Sequence, residues 1–227
     1  MRDQPRTASL VRPPAAPGPR ILLVDDHRIV RDGLRRILAE ALPDATFGEA
    51  ATATEALVAA RSAPWDLVVL DVSLPSRSGL DVLKELRHDR PDARVLMTTM
   101  YAEDQYALRS FRAGAAGYIT KDSGPDDFVA AVQKVLAGGR YVSPSLAEHL
   151  ASTLGSDTGR PPHERLSDRE LQVLRLLASG LSVKEIGHQL HLSDKTISTY
   201  RARVLEKLQL RTAAQLMRYA IGANLVD

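Results

Sequence analysis

Cysteine is absent from all 227 residues, which excludes disulfides, thiolate metal sites and cysteine nucleophiles together. No apolar run approaches the length of a membrane span. A secretory signal is missing as well: Pro13, Pro14, Pro17 and Pro19 interrupt the opening residues, and no apolar stretch follows Arg2. No internal repeat is visible. These absences leave a soluble, cytoplasmic protein with no membrane partner as the expectation. The rest of the composition is ordinary for a globular chain, 44% hydrophobic and 26% charged. The length suits one large domain or two modest ones.

The net charge of +2 hides an asymmetry. Residues 20–140 carry 16 Lys/Arg against 18 Asp/Glu, whereas residues 164–227 carry 10 against 7. A mildly acidic first part and a mildly basic last part hint at different partners for each. An excess of three charges is also what a solvated surface carries, so the hint needs support from motifs.

Residues 1–19, rich in Pro, Ala and Arg and without periodicity, read as a disordered extension. Strand and helix patterns then alternate. Strands are expected at Ile21–Val24, Phe47–Ala50, Leu67–Leu70, Arg94–Thr99 and Ala116–Thr120. Helices are expected over residues 28–41, from Thr52 to about Arg61 with Glu55 completing a capping box, and over Gly79–Asp89, Glu103–Ala113 and Asp126–Ala137. Five strand–helix units in about 120 residues imply an α/β fold, a doubly wound parallel five-stranded sheet of flavodoxin-like type. This domain spans residues 20–138. Residues 139–163 read as a linker, with a helical turn or two between Ser145 and Leu154. The remainder, 164–227, reads as a small all-α bundle: Ser167 with Glu170, Ser182 with Glu185 and Thr212 with Gln215 are capping boxes, and Ser193 is a fourth N-cap.

The stretch LVVLDVSLP, Leu67–Pro75, runs an apolar strand straight into a carboxylate at Asp71. A buried strand is a costly place for a charge, but open parallel sheets build their sites just beyond the carboxyl ends of the strands. Asp25 and Asp26 end the first strand in ILLVDDH, Thr98 and Thr99 end the fourth, and Lys121 follows the fifth. Three carboxylates, a hydroxyl and an ammonium therefore arrive at one rim. The carboxylates repel one another unless a cation sits among them, and oxygen ligands with open positions favour Mg²⁺. A carboxylate beside Mg²⁺ and a lysine is equipped to attack phosphorus and form an aspartyl phosphate. Thr99 would hydrogen-bond the new oxygens and Lys121 would neutralise their charge. Thr98 faces the opposite way and has no role. Taken singly, Asp25 or Asp26 reads as well as a helix cap; five groups at the right strand ends do not read as coincidence.

ILLVDDH, LVVLDVSLP, RVLMTTM and GYITKDS together resemble the receiver domain of bacterial two-component response regulators. The resemblance implies Asp71 as phosphoacceptor, Asp26 as principal Mg²⁺ carboxylate with Asp25 supporting, the Ser73 backbone carbonyl as a further metal ligand, and Thr99 and Lys121 as the accompanying hydroxyl and lysine. Tyr118 matches the aromatic switch, though packing alone explains it equally well. Pro75 and Gly79 match the loop after the phosphoacceptor. A histidine kinase is the implied phosphodonor.

In the tail, Val183–Leu190, the turn His191–Ser193 and Asp194–Leu208 form a helix-turn-helix unit. Ile197, Val204, Leu205 and Leu208 share the inward face, leaving Lys195, Ser198, Thr199, Ala202, Arg203 and Glu206 on the other. Periodicity alone fits an amphipathic bundle with a solvated face. However, the motifs LSDRELQVL, GLSVKEI and LSDKTI resemble the LuxR-type output domain of the NarL/FixJ group of response regulators. By that resemblance double-stranded DNA is the partner, with Lys195, Ser198, Thr199, Arg201, Ala202 and Arg203 at the major groove or its phosphates. Many family members carry lysine where Ser198 stands, so the operator is expected to be read differently here. His188 and His191 have no acids placed for metal ligation.

The last helix offers Ala213, Leu216, Met217, Ala220 and Ile221 as a contact stripe, with closure of the bundle core the competing reading for Leu216 and Ile221. Because the resembled family dimerises through this helix, a contact role is assigned to Ala213, Met217 and Ala220. The implied function is a phosphorylation-controlled transcription regulator, a homodimer on DNA, not an enzyme, with RNA polymerase as a further partner open to it. Two readings compete. A Mg²⁺-dependent aspartyl-phosphate phosphatase commonly carries an acid two residues after the nucleophile, where Ser73 stands. A degenerate receiver with phosphate-independent DNA binding is opposed by the complete five-residue set.

Overall fold

The computed structural model describes residues 18–75, 77–100, 103–148, 161–223 and 225–226. The expected N-terminal extension and the later part of the expected linker helix lie outside the described residues.

Strands β1 (Arg20–Val24), β2 (Thr46–Ala50), β3 (Leu67–Asp71), β4 (Val95–Thr99) and β5 (Gly117–Thr120) form one parallel sheet in the order β2-β1-β3-β4-β5. They alternate with helices α1 (Arg28–Ala41), α2 (Ala53–Ser62), α3 (Gly79–Asp89), α4 (Glu103–Arg112) and α5 (Pro125–Leu136). Central strands of such a sheet are covered on both faces, so they read as near-continuous apolar runs. Every residue of β3 and β4 is accordingly buried, Asp71 and Thr99 included.

The period of two along each strand sorts the core into two layers. Leu22, Val24, Val68, Leu70, Val95 and Met97 pack beneath α2, α3 and α4. Ile21, Leu23, Leu67, Val69, Leu96 and Ile119 pack with Leu38 of α1 and Phe128, Ala131, Val132 and Val135 of α5. Both layers hold the strand ends rigidly in register, with Asp71 opposite Thr98 and Thr99 opposite Thr120.

One local expectation is corrected. Thr52 caps α2 by accepting from Glu55 N, but the Glu55 carboxylate reaches back to Ala51 N, not to Thr52, so the capping box is not reciprocal. The segment after α5 is anchored to the sheet at its start, and the expected helical turn follows. Tyr141 N donates to Ala116 O at 3.0 Å and bridges Gly117 beside β5. Residues 144–148 are helical (α6), and Leu146 is buried in the core.

After a 3-10 turn at Pro162–Arg165 come α7 (Asp168–Ala178), α8 (Val183–Leu190), α9 (Asp194–Lys207) and α10 (Ala213–Gly222). The capping boxes at Ser167, Ser182 and Thr212 are all reciprocal, and the Ser193 side chain accepts from Thr196 N. Between α8 and α9, His191 adopts the left-handed conformation (φ 52°) and ends α8. A Cβ on Gly187 would stand 2.8 Å from Leu192 O, so the turn that brings α9 back across α8 needs glycine there.

Candidate functional site

Lys121 emerges from the end of β5 and turns into the rim. Its Nζ lies 2.6 Å from Asp25 Oδ2 and 2.9 Å from Asp71 Oδ2. Both carboxylates are only 1% exposed. Burial pushes the Asp71 carboxyl up to about 6, Lys121 pulls it down, and Asp25 adds to the rise. For Lys121, burial works against the ammonium, yet Asp71 and Asp25 beside it carry its pKa above the ordinary lysine value. One cation thus stands between two anions.

Asp71 Oδ1 is buried and makes no hydrogen bond of ordinary geometry among the described residues, although the Ser73 backbone N–H acts on the carboxyl to lower its pKa. A buried carboxylate oxygen without such a bond is costly, and it is the kind of atom a hard cation or an incoming phosphorus would meet. Thr99 is wholly buried at the end of β4, and its carbonyl accepts from Lys121 N at 2.7 Å, which fixes the loop that carries the lysine. Gly79 lets α3 start directly against the acceptor: a Cβ there would stand 1.9 Å from Asp71 O. Tyr118 is fully buried.

Two residues join the rim without having been expected. His27 Nδ1 lies 2.9 Å from Asp26 Oδ1 and 3.4 Å from Asp25 Oδ1, and ligand atoms of Asp25, Asp26 and His27 fall within 4.8 Å of one another. Arg31 Nη1 donates to Asp25 O at 2.6 Å and braces the loop from α1. His27 was visible in ILLVDDH as the residue next to the acids; Arg31 is one arginine among several on α1 and carried no signal. The ligand atoms that come together are those of Asp25, Asp26 and His27. Asp71 joins them only through Lys121, which lies against both Asp25 and Asp71, and the carboxylate oxygens of this rim fit a divalent hard cation.

At the other end of the chain, Lys195, Ser198, Thr199, Ala202 and Arg203 are all exposed on α9, while Ile197 and Val204 are buried beneath them. Arg201 is separated from that face: it is half-buried and lines an apolar groove of about 210 Å³ with Leu177, Leu181 and Met217. The expected stripe on α10 is corrected as well. Ala220 is fully buried with Leu216, whereas Ile221 is 55% exposed. Ala213 and Met217 are exposed as expected, so the outward stripe is Ala213, Met217 and Ile221.

Polar side chains of α7 are buried to an unusual degree: Asp168, Arg169, Glu170, Gln172 and Arg175 are each no more than 8% exposed. Charged residues are rarely buried unless paired, and most of the partners here belong to the sheet domain. Asp168 takes Lys84 at 2.8 Å and Arg109 at 3.0 Å. Arg109 also donates to the carbonyls of Leu166 and His163, both at 2.8 Å. The Arg175 guanidinium stands 5.5 Å over the Tyr106 ring. Arg169 donates to Leu74 O at 2.8 Å and Gln172 to Ser73 Oγ at 3.2 Å. Two partners lie within the output domain itself: Lys207 of α9 holds Glu170, and Arg175 Nε donates to Leu225 O at 2.9 Å.

A parallel sheet with paired acids, a threonine and a lysine at its carboxyl edge, joined to a capped helix-turn-helix bundle, defines a signal-receiving domain coupled to a DNA-reading one. The chain matches the response regulator receiver domain over residues 21–133 and the luxR family of bacterial regulatory proteins over residues 164–220. It is 37% identical to Response regulator GacA of Pseudomonas aeruginosa, across 92% of this chain and 98% of that protein. It is 35% identical to Response regulator UvrY of Escherichia coli, across 91% and 95%. Among solved structures, RcsB from Salmonella enterica serovar Typhimurium, bound to promoter rprA in the presence of phosphomimetic BeF3-, is 26% identical. It aligns with a TM-score of 0.61 over 89% of this chain and 98% of that one. The chain belongs to the response regulators with a LuxR-type DNA-binding domain, the NarL/FixJ group, and is a DNA-binding transcription regulator of that family.

Proposed function

We propose that Asp71 accepts a phosphoryl group from a histidine kinase in the cytoplasm, and that this modification sets how tightly the chain, as a homodimer, holds its operator. The observation that carries this reading is Lys121 set between Asp25 and Asp71, with both carboxylates almost wholly buried. Asp71 is the nucleophile. Lys121 screens the charge that gathers on the transferred group, and the Thr99 hydroxyl is its hydrogen-bond donor. Asp25, Asp26, Asp71 and the carbonyl of Ser73 are the residues that would hold Mg²⁺, which when bound neutralises the carboxylates and polarises phosphoryl oxygens. Buried Tyr118 of β5, packed in the layer that α4 covers, is the side chain through which a change at Thr99 would reach the helices.

For the output, the exposed face of α9 is the reading surface. Ser198, Thr199 and Ala202 face base edges, while Lys195 and Arg203 take phosphates. Arg201 is offered at most a flanking phosphate. Pairing through the outward stripe of α10 gives two half-site contacts on one duplex, and a regulator so placed has RNA polymerase as its natural neighbour at a promoter.

The test is acetyl phosphate with Mg²⁺, followed by mass spectrometry. One phosphoryl group is expected on the wild type, none on Asp71→Asn, and strongly reduced labelling on Asp26→Ala. Equal labelling of Asp71→Asn defeats the assignment.

A further inference from the structure

The contacts of α7 reach the phosphoacceptor loop itself. Ser73 and Leu74 are the second and third residues after Asp71, and the peptide unit between them carries the Ser73 carbonyl. The output domain holds that unit from both sides. Gln172 Nε2 donates to the Ser73 hydroxyl at 3.2 Å, and Arg169 Nη2 donates to the Leu74 carbonyl at 2.8 Å. Arg169 and Gln172 are also hydrogen-bonded to each other, so the two grips act as one. Both side chains are buried, at 5% and 2% exposed.

The grip depends on contacts farther away. Asp168, one residue before Arg169, is clamped by Lys84 of α3 and Arg109 of α4. Arg175, one turn beyond Gln172, lies over Tyr106 of α4. If α7 lifts from α3 and α4, the hydrogen bonds to Ser73 and Leu74 go with it.

One physical effect gives the coupling a sign. Arg169 brings a full positive charge to the Leu74 carbonyl, next to the Ser73 carbonyl, and two cations in a poorly screened setting repel. That charge weakens a cation seat built on the Ser73 carbonyl. Linkage then requires the reverse effect of the same size.

We propose that α7 is a positioning element of the phosphoacceptor loop: while docked, Arg169 and Gln172 hold Leu74 and Ser73 so that Mg²⁺ binds less tightly, and Mg²⁺ binding in turn loosens the dock. This rests on the reading of Asp25, Asp26, Asp71 and Ser73 as the cation seat. It differs from masking of the recognition helix, because the reading face of α9 stays exposed while α7 is docked. Arg169 and Gln172 act through the loop they hold.

The experiment uses the full chain and reads Mg²⁺ affinity by calorimetry in the absence of any phosphodonor. Arg169→Met removes the grip, and Arg109→Met loosens the dock from a distance without touching the loop. Each is expected to lower the Mg²⁺ dissociation constant about fivefold or more, within the range of ordinary coupling between sites. Because the chain has no cysteine, Val58→Cys on α2 and Ser198→Cys on α9 allow a pair of spin labels. Mg²⁺ should lengthen and broaden the distance between them in the otherwise native chain. An unchanged dissociation constant in Arg109→Met, or an unchanged label distance, overturns the coupling, even if Arg169→Met alone shifts. Asp26→Ala is the separate control: if it binds Mg²⁺ as the wild type does, the cation seat is misplaced. If the wild type binds no Mg²⁺ at all, both readings fall together.

Discussion

The Lys121 ammonium stands 2.9 Å from the Asp71 carboxylate, and both side chains are under a tenth exposed. Neither charge has much water to fall back on, so each depends on the other. Lys121→Met removes the cation and leaves Asp25 and Asp71 to repel each other. A loss of about 3 kcal/mol in urea unfolding is expected, as for other buried pairs with one partner removed. A change under about 1 kcal/mol would mean that water reaches the pocket.

Asp71 gives the pocket a pH dependence. Its folded pKa of about 6 lies above the ordinary value of 3.8, so the folded state binds this proton more tightly than the unfolded chain does. The stability this provides is fully present below about pH 4 and is lost as pH rises through about 6. In metal-free buffer, Asp71→Asn should therefore unfold later than wild type at pH 7, by at most about 3 kcal/mol. The difference should shrink toward pH 4. Parallel stability curves from pH 4 to pH 7 would contradict the buried-carboxylate account.

Gly79 has no room for a side chain, since a Cβ would sit 1.9 Å from Asp71 O. Gly79→Ala must push α3 away from the acceptor strand. The expected cost is about 2 kcal/mol or more, accompanied by slower labelling of Asp71. Wild-type melting and wild-type labelling together would show that α3 shifts freely.

On the output domain, the exposed and half-buried faces of α9 separate two kinds of variant. Arg203→Ala should weaken operator and random DNA alike and reduce the salt slope by about one. Ser198→Ala or Thr199→Ala should change which sequence is preferred while leaving the slope alone. Gel shifts at two salt concentrations on both duplexes decide it; an Arg203→Ala effect confined to the operator would count against phosphate contact.

The two faces of α10 give opposite outcomes. Ala220→Leu overfills a fully buried position and should cost about 1–3 kcal/mol of stability. Met217→Asp, on the outward side, should leave the melt unchanged and weaken pairing on a two-half-site duplex. If Met217→Asp pairs as well as wild type, the dimer contact lies elsewhere.

Much of this molecule is legible from strand ends. Asp25, Asp71, Thr99 and Lys121 each terminate an apolar run, and in a parallel sheet that position leads to one rim. The caps at Ser167, Ser182, Ser193 and Thr212 are equally plain, because each is completed within three residues. What pattern reading missed depends on distant partners. Arg169 and Gln172 look like an ordinary solvated helix face until Leu74 and Ser73, nearly a hundred residues earlier, are brought against them. Ala220 was misplaced because alanine fits either side of a helix, and only the Leu216 side proves to be core. Arg201 falls off the α9 face by one step of the helical turn, too fine a distinction for charge patterning.

The local completion of those four caps has a kinetic consequence. Each output helix carries its own start signal, and its neighbours are close in sequence, so the bundle has low contact order and should fold quickly. The sheet closes only when β1 meets β3, with Ile21 beside Leu67, across a long stretch of unformed chain. During refolding the DNA-reading unit is therefore expected to be complete while the sheet is still assembling. Until the sheet presents Leu74, Lys84 and Arg109, the charged face of α7 stands in water. The last event in making this protein is then the meeting of two finished surfaces, and its rate can be read apart from the folding of either.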